Sequence, residues 1–179
     1  MARKISQKRN NVCDYTTMPL WDVHTTGPVF AAEEKQELAE QITKIYTATP
    51  LPAFYVRVRF TEHAPGTTFS GGEPDGSPQG SPDGETVSGE TANTGFVHLQ
   101  VWHLARNFSG SEHKERFLRK VDKVLTPIME AKGVDWEYTV DESLRDLWKI
   151  NGVVPPEAGS EGEKEWVREN RVVGRGEKL

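Results

Sequence analysis

The feature that most constrains this chain is a change of hydrophobic period that occurs twice in the same order. Within residues 31–47, Leu38, Ile42, Ile45 and Tyr46 recur at helical spacing, which predicts a helix with one apolar stripe. Glu33 and Glu34 lie in its first turn, where the helix dipole favours negative charge. Pro50 and Pro52 stop it. The period then drops to two: across 53–62, Phe54, Val56, Val58 and Phe60 face one way and Tyr55, Arg57 and Arg59 the other, the signature of a strand. A shorter strand is predicted before the helix, over 19–25, with Leu20, Trp21 and Val23.

The same order returns downstream. Residues 96–104 alternate Val97, Leu99 and Val101 against His98, Gln100 and Trp102. Residues 112–132 place Phe117, Val121, Val124, Leu125 and Ile128 on one helical face, with Gly133 as the C-cap and Pro127 as a point of bending. Residues 135–140 predict another strand, 143–151 a short helix, and Ser160 to Glu163 a capping box that opens a final helix holding Trp166. The expected fold is α+β: two fused β-α-β units forming a two-layer sheet-and-helix domain. The uncovered sheet face would carry Arg57, Arg59, His98, Gln100 and Trp102. That face is too mixed for a dry core and too aromatic for free solvent, so an oligomer or a polar pocket is expected there.

Charge divides the 179 residues into zones. The formal net charge is -5, and Glu73, Asp75, Asp83, Glu85 and Glu90, all within 64–94, account for it. That stretch holds no Lys or Arg, and eight of the 16 glycines lie between Gly66 and Gly95. Such a composition does not offset the entropy of ordering, so a flexible acidic insert is expected, with a lid as the sharper reading. Residues 1–18 are basic and lack hydrophobic periodicity. They read as a disordered leader, or as sequence upstream of the true start at Met18, with no secretory h-region. The domain is placed at 19–173 and a tail at 174–179. A single cysteine, Cys13, excludes an intramolecular disulfide and a Cys-based zinc site. No apolar run is long enough to span a membrane, and the mild acidity argues against nucleic-acid binding through bulk charge. The expected location is the cytoplasm. The five histidines show no ligand spacing with acids, so no metal is expected.

Several segments, in this order, resemble a known family. They are Met18 to Trp21, Leu38 to Tyr46, Leu51 to Phe60, Phe96 to Arg106, Asp135 to Tyr138, and Arg145 to Pro156. The ordered set resembles the tautomerase superfamily, within it the cis-chloroacrylate-dehalogenase-like group, over about residues 19–173 without the insert. The resemblance implies two β-α-β units per chain, a homotrimer, cofactor-independent chemistry on a small carboxylate substrate, and catalysis by an amino-terminal proline. That residue is Pro19, terminal if translation starts at Met18 and the methionine is removed. The requirement is strict. A terminal proline is a secondary amine, and burial or nearby cations lower its proton affinity toward operating pH. An internal proline is a tertiary amide whose lone pair is delocalised into the carbonyl. As the sequence is written, residues 1–18 precede Pro19, and on that reading it is an ordinary strand-start proline.

The resemblance also implies that Arg106 binds substrate carboxylate through its two-pronged guanidinium. A second family arginine has no match: Trp102 and His103 stand in that stretch, and His103 is the polar substitute. Tyr138 matches a family tyrosine that hydrogen-bonds substrate or water. Tyr46 stands where the family has a histidine, and its place on the apolar stripe fits core packing equally well. The water-activating glutamate of the dehalogenating members is not matched at Leu147 to Ile150. Tautomerisation is therefore favoured over dehalogenase- or hydratase-type lyase chemistry. The competing readings are a non-catalytic oligomeric binding or structural member of the same fold, and a cofactor-free oxygenase using His98, Trp102 or His103.

Overall fold

A computed structural model describes residues 19–75, 95–103, 108–142 and 148–174. Its elements follow the expected order: β1 (Leu20–Thr26), α1 (Ala32–Thr47), a 3-10 turn (Ala53–Tyr55), β2 (Arg57–His63), β3 (Phe69–Ser70), β4 (Glu73–Pro74), β5 (Phe96–His103), α2 (Ser111–Lys132), β6 (Asp135–Glu142) and α3 (Glu161–Glu169). The four long strands form one sheet in the order β2-β1-β5-β6. Within each β-α-β unit the strands are parallel, β1 with β2 and β5 with β6. The units join through the antiparallel pair β1–β5, in which Leu20 faces Trp102 and Thr25 faces Val97.

Alternation decides which face is dry. Trp21 and Val23 of β1 and Val97, Leu99 and Val101 of β5 are fully buried beneath the helices. The helices answer with Leu38, Ile42, Ile45 and Tyr46 from α1 and Phe117, Val121, Leu125 and Met129 from α2. A fully buried side chain of this size contributes about 1.5–3 kcal/mol, so this seam holds the layers together. Glu34 of α1 bonds Lys132 of α2, and the Lys132 ammonium lies 5.5 Å from the Phe30 ring centre, clamping the helix pair at one end. Glu34 also accepts from the Ala31 N–H at 2.8 Å and so caps its own helix. Gly133 ends α2 at φ 62°, the left-handed geometry expected of it.

The last helix is tied on separately. The Ser160 hydroxyl accepts from the Glu163 N–H at 3.2 Å, as the capping box requires. Trp166 is buried against Phe54 and Tyr55 and donates to the Val173 carbonyl at 2.7 Å. Asn170 accepts from the Phe54 N–H.

Three expectations differ from the structure. Residues 53–55 form a 3-10 turn rather than the first turns of a strand, because Pro50 and Pro52 hold the approach in a tight bend. Residues 148–151 are not helical: Ile150 and Val153 form an isolated bridge around a turn with Asn151 and Gly152 at positive φ. The start of the insert is built rather than loose, since β3 and β4 pair antiparallel and Thr26 shares a 2.8 Å hydroxyl bond with Thr68. Residues 76–94, the leader at 1–18, the 143–147 part of the expected short helix and the 175–179 part of the tail lie outside the described residues. No described helix is long and apolar enough to cross a membrane.

Candidate active site

Pro19 is buried at the head of β1, and its carbonyl accepts from the Arg57 N–H at 3.0 Å. In β1 the odd-numbered positions Trp21 and Val23 point toward the helices, so the alternation sets Pro19 on that covered face. Carrying the β1–β5 register one residue beyond the Leu20–Trp102 pair sets Pro19 opposite His103. His103 is 4 % exposed. Its ring stacks on Phe108 with centres 4.3 Å apart and planes 5° apart, and it meets Phe117 at 4.5 Å and Tyr46 at 5.9 Å. Tyr46 in turn accepts a 3.0 Å hydrogen bond from the Trp21 indole N–H. Burial pushes the Tyr46 phenol well above its ordinary value, so it stays protonated and serves as a neutral donor or acceptor rather than a base.

The chain thus brings Pro19, Tyr46 and His103 to one end of the two central strands, on the covered face. Trp21, Phe108 and Phe117 supply aromatic walls that the sequence reading left unassigned. Phe117 was visible only as part of a helical stripe, and Phe108 carries no local signal, because stacking on a residue of another element is a tertiary fact. Arg106 lies outside the described residues.

Tyr138 is placed elsewhere. It pairs in register with Leu99, four residues along β5 from His103. Four residues of strand are about 13 Å. Its hydroxyl donates to Asp122 Oδ1 on α2 at 2.7 Å. Burial and that carboxylate raise its proton affinity, which leaves an oxygen lone pair rather than the proton for any further partner. Tyr138 lines a separate ≈ 470 Å³ pocket with Phe108, Leu118 and Val140, rimmed by Lys114 and Glu142. Phe108 is the wall between this pocket and His103.

The uncovered sheet face is polar and internally paired. Arg59 makes a two-pronged ion pair with Asp22. His98 meets Glu137 at 2.9 Å, and Gln100 joins Thr139 and Asp141. His24 Nδ1 lies 2.9 Å from His63 Nε2, and its ring centre is 6.3 Å from that of His98. These three imidazoles line a ≈ 300 Å³ pocket with Asp75, Thr26 and Thr68. Burial, then the neighbouring His63, hold His24 below the ordinary imidazole value. Among the described residues no three His, Cys, Asp or Glu side chains stand close enough to hold a metal ion.

Comparison with known proteins agrees with the fold. The family model described as "Putative oxalocrotonate tautomerase enzyme" matches residues 18–171. A probable enzyme from the thermophilic fungus Aspergillus fumigatus is 46% identical, with 89% of this chain and 99% of that one covered and a TM-score of 0.75. Native RhCC from Rhodococcus jostii RHA1 is 31% identical, covering 87% and 99%, with a TM-score of 0.73. A member of the cis-3-chloroacrylic acid dehalogenase family, N1, is 16% identical with a TM-score of 0.55 and covers 84% of this chain and 97% of its own, a likeness of fold. No curated protein matches. The chain belongs to the tautomerase family that the model describes.

Proposed function

We propose that this tautomerase-family chain is an isomerase that moves a proton within a small enol or unsaturated carboxylic acid, with Pro19 as the proton carrier. The observation that carries this reading is the position of Pro19. It is buried at the head of a central strand, on the covered face, in register with His103. When Pro19 is the first residue, its ring nitrogen is a secondary amine in a partly desolvated setting. Desolvation disfavours the charged ammonium and lowers the amine's proton affinity. Such a base takes a proton from the oxygen end of an enol and returns one to carbon.

The walls fit that chemistry. Phe108, Phe117 and Trp21 exclude water, which strengthens every remaining polar contact. Tyr46, kept neutral, and His103 are polar groups at the same end of the covered face, and Arg106, three residues after His103 in sequence, is the carboxylate clamp that the resemblance implies. Enol-to-keto transfer needs one base and no activated water, so the unmatched glutamate is no obstacle to it.

The test is direct. The mature amino terminus of protein from its native source is read by intact mass. Two purified chains, one beginning at Pro19 and one retaining residues 1–18, are then assayed for ketonisation of phenylenolpyruvate. The expected result is turnover by the first and little by the second. Equal turnover by both would remove Pro19 from the mechanism, and turnover by neither would favour the non-catalytic reading.

A further inference from the structure

Three histidines stand together at the end of the sheet remote from Pro19, and the chemistry proposed above does not use them. His24 lies five residues on from Pro19, about 17 Å of strand. Its Nδ1 is 2.9 Å from Nε2 of His63, the last residue of β2. The ring centres are 5.2 Å apart and the planes differ by 22°. That separation matches the N···N distance plus one ring radius at each end, so both nitrogens lie on the line that joins the rings. The contact is an in-line N–H···N hydrogen bond. A metal ion on that line would need about 4 Å between the nitrogens, at about 2.0 Å per bond, so only a proton fits.

Such a pair accepts protons in a fixed order. Each neutral imidazole has one N–H and one lone pair, so the neutral pair holds one hydrogen on the line. A first added proton goes to the outer nitrogen of the donor ring, and the bond survives with a charge. A second has only the acceptor's facing lone pair to take. Two N–H groups then point at each other between two cations, which is strongly penalised at this distance. Of the charged groups around the rings, Asp22 on β1 is engaged by Arg59 of β2, and His98 on β5 is engaged by Glu137 of β6. The carboxylate across the ≈ 300 Å³ pocket is Asp75, which follows β4. Its N–H donates to the Thr68 carbonyl at 2.9 Å, and the Thr68 hydroxyl shares its 2.8 Å bond with Thr26. We propose that the His24–His63 pair is a proton-operated latch for the β3–β4 hairpin: when both rings are charged, His63 leaves His24 for the Asp75 carboxylate, fills the pocket and breaks the Thr26–Thr68 bond. Imidazolium and carboxylate are both charged between about pH 3.9 and about pH 6.5, and the latch opens within that window. Burial, then the neighbouring His63, hold His24 below 6.5, in keeping with a second proton that enters late.

The latch does not depend on the chemistry assigned to Pro19, and it is read without an assay of turnover. In the full chain, imidazole nitrogen shifts are followed by NMR from about pH 8 to about pH 4. Amide exchange of Asp75, corrected for its intrinsic pH dependence, is measured beside that of β5. His24 and His63 are expected to titrate as a coupled pair in two steps. After the second step the Asp75 N–H is expected to exchange at least about tenfold faster, with β5 unchanged. Asp75→Asn is expected to move the second step to lower pH, since the imidazolium loses its carboxylate. His63→Phe is expected to abolish the pH dependence of Asp75 exchange, with circular dichroism confirming folding. Independent titration of the two rings, exchange that does not follow the second step, or an unchanged second step in Asp75→Asn would each overturn the proposal. The first two are read on the wild-type chain alone, so they stand even where a variant fails to fold.

Discussion

The two β-α-β halves share a topology and differ at the residue that opens each one. The first half begins at Pro19 and the second at Gly95. A Cβ built on Gly95 would stand 2.9 Å from Val29 Cγ2 and 3.3 Å from the Thr26 carbonyl, so the second half has space there only for hydrogen. The helices differ in the same sense. The stripe of α1 ends in Tyr46, a ring with a polar tip bonded to Trp21. The buried residues of α2 are apolar throughout: Phe117, Val121, Leu125 and Met129. One half has a hydrogen-bonding group and a potential amine at the strand head. The other opens on glycine, and its polar contribution to the same end of the sheet is His103 at the close of β5. The difference teaches that the repeat specifies the fold, while the proposed proton carrier stands at a position where the two halves differ.

The largest test of that contrast removes the amine. In a chain beginning at Pro19, Pro19→Ala replaces a cyclic secondary amine by a primary one, and ketonisation is expected to fall by about two or more orders of magnitude. Steady-state kinetics at fixed pH would read this, and near-unchanged turnover would erase the functional asymmetry of the halves.

Next is the crowded strand head of the second half. Gly95→Val is expected to destabilise by about 1–3 kcal/mol through overpacking, seen as a lower denaturation midpoint. An unchanged midpoint would mean that the two heads are interchangeable.

Tyr46→Phe keeps the ring but removes the acceptor for the buried Trp21 N–H, at an expected cost of about 1–3 kcal/mol. In the second half, Tyr138→Phe also removes one hydroxyl, but its partner Asp122 is exposed to water, and the expected loss is about 1 kcal/mol or less. Equal losses for the two tyrosines would contradict the burial contrast.

The smallest effect concerns pH. His24 lies where the halves meet, paired in register with His98, and its proton affinity is lowered in the fold from 6.5. The unfolded chain therefore binds more protons below pH 6.5. The contribution is full above that value and is lost as pH falls through the lowered folded value. His24→Phe is expected to flatten the fall in melting temperature between about pH 7.5 and about pH 5.5.

Much of the architecture is legible in the chain because it is local. Alternation at 96–103 and the stripe at 117–128 are written within single elements, although in the second the most deeply buried position of the last turn is Met129 rather than Ile128. What needs two elements at once was not legible. Tyr138 reads like a site residue by resemblance, yet its hydroxyl is turned to Asp122 by the packing of β6 against α2. The row of His24, His63 and His98 spans three strands whose adjacency no local pattern records. The stacking of His103 on Phe108 is of the same kind. The 3-10 turn at 53–55 was missed for a different reason: Phe54 and Val56 alternate as a strand would, and the two prolines outweigh that alternation. Pro19 stands out only through the resemblance; read locally it is an ordinary proline at the start of a strand.

The antiparallel ladder between β1 and β5 has a practical corollary. Each half contains its own parallel strand pair and covering helix, and the chain passes from one half to the other only through the acidic insert. Fragments 19–75 and 95–174 would each retain a complete β-α-β layer and a matching exposed strand. For a chain cut within that bridge, the expectation is two pieces that reassemble along β1 and β5.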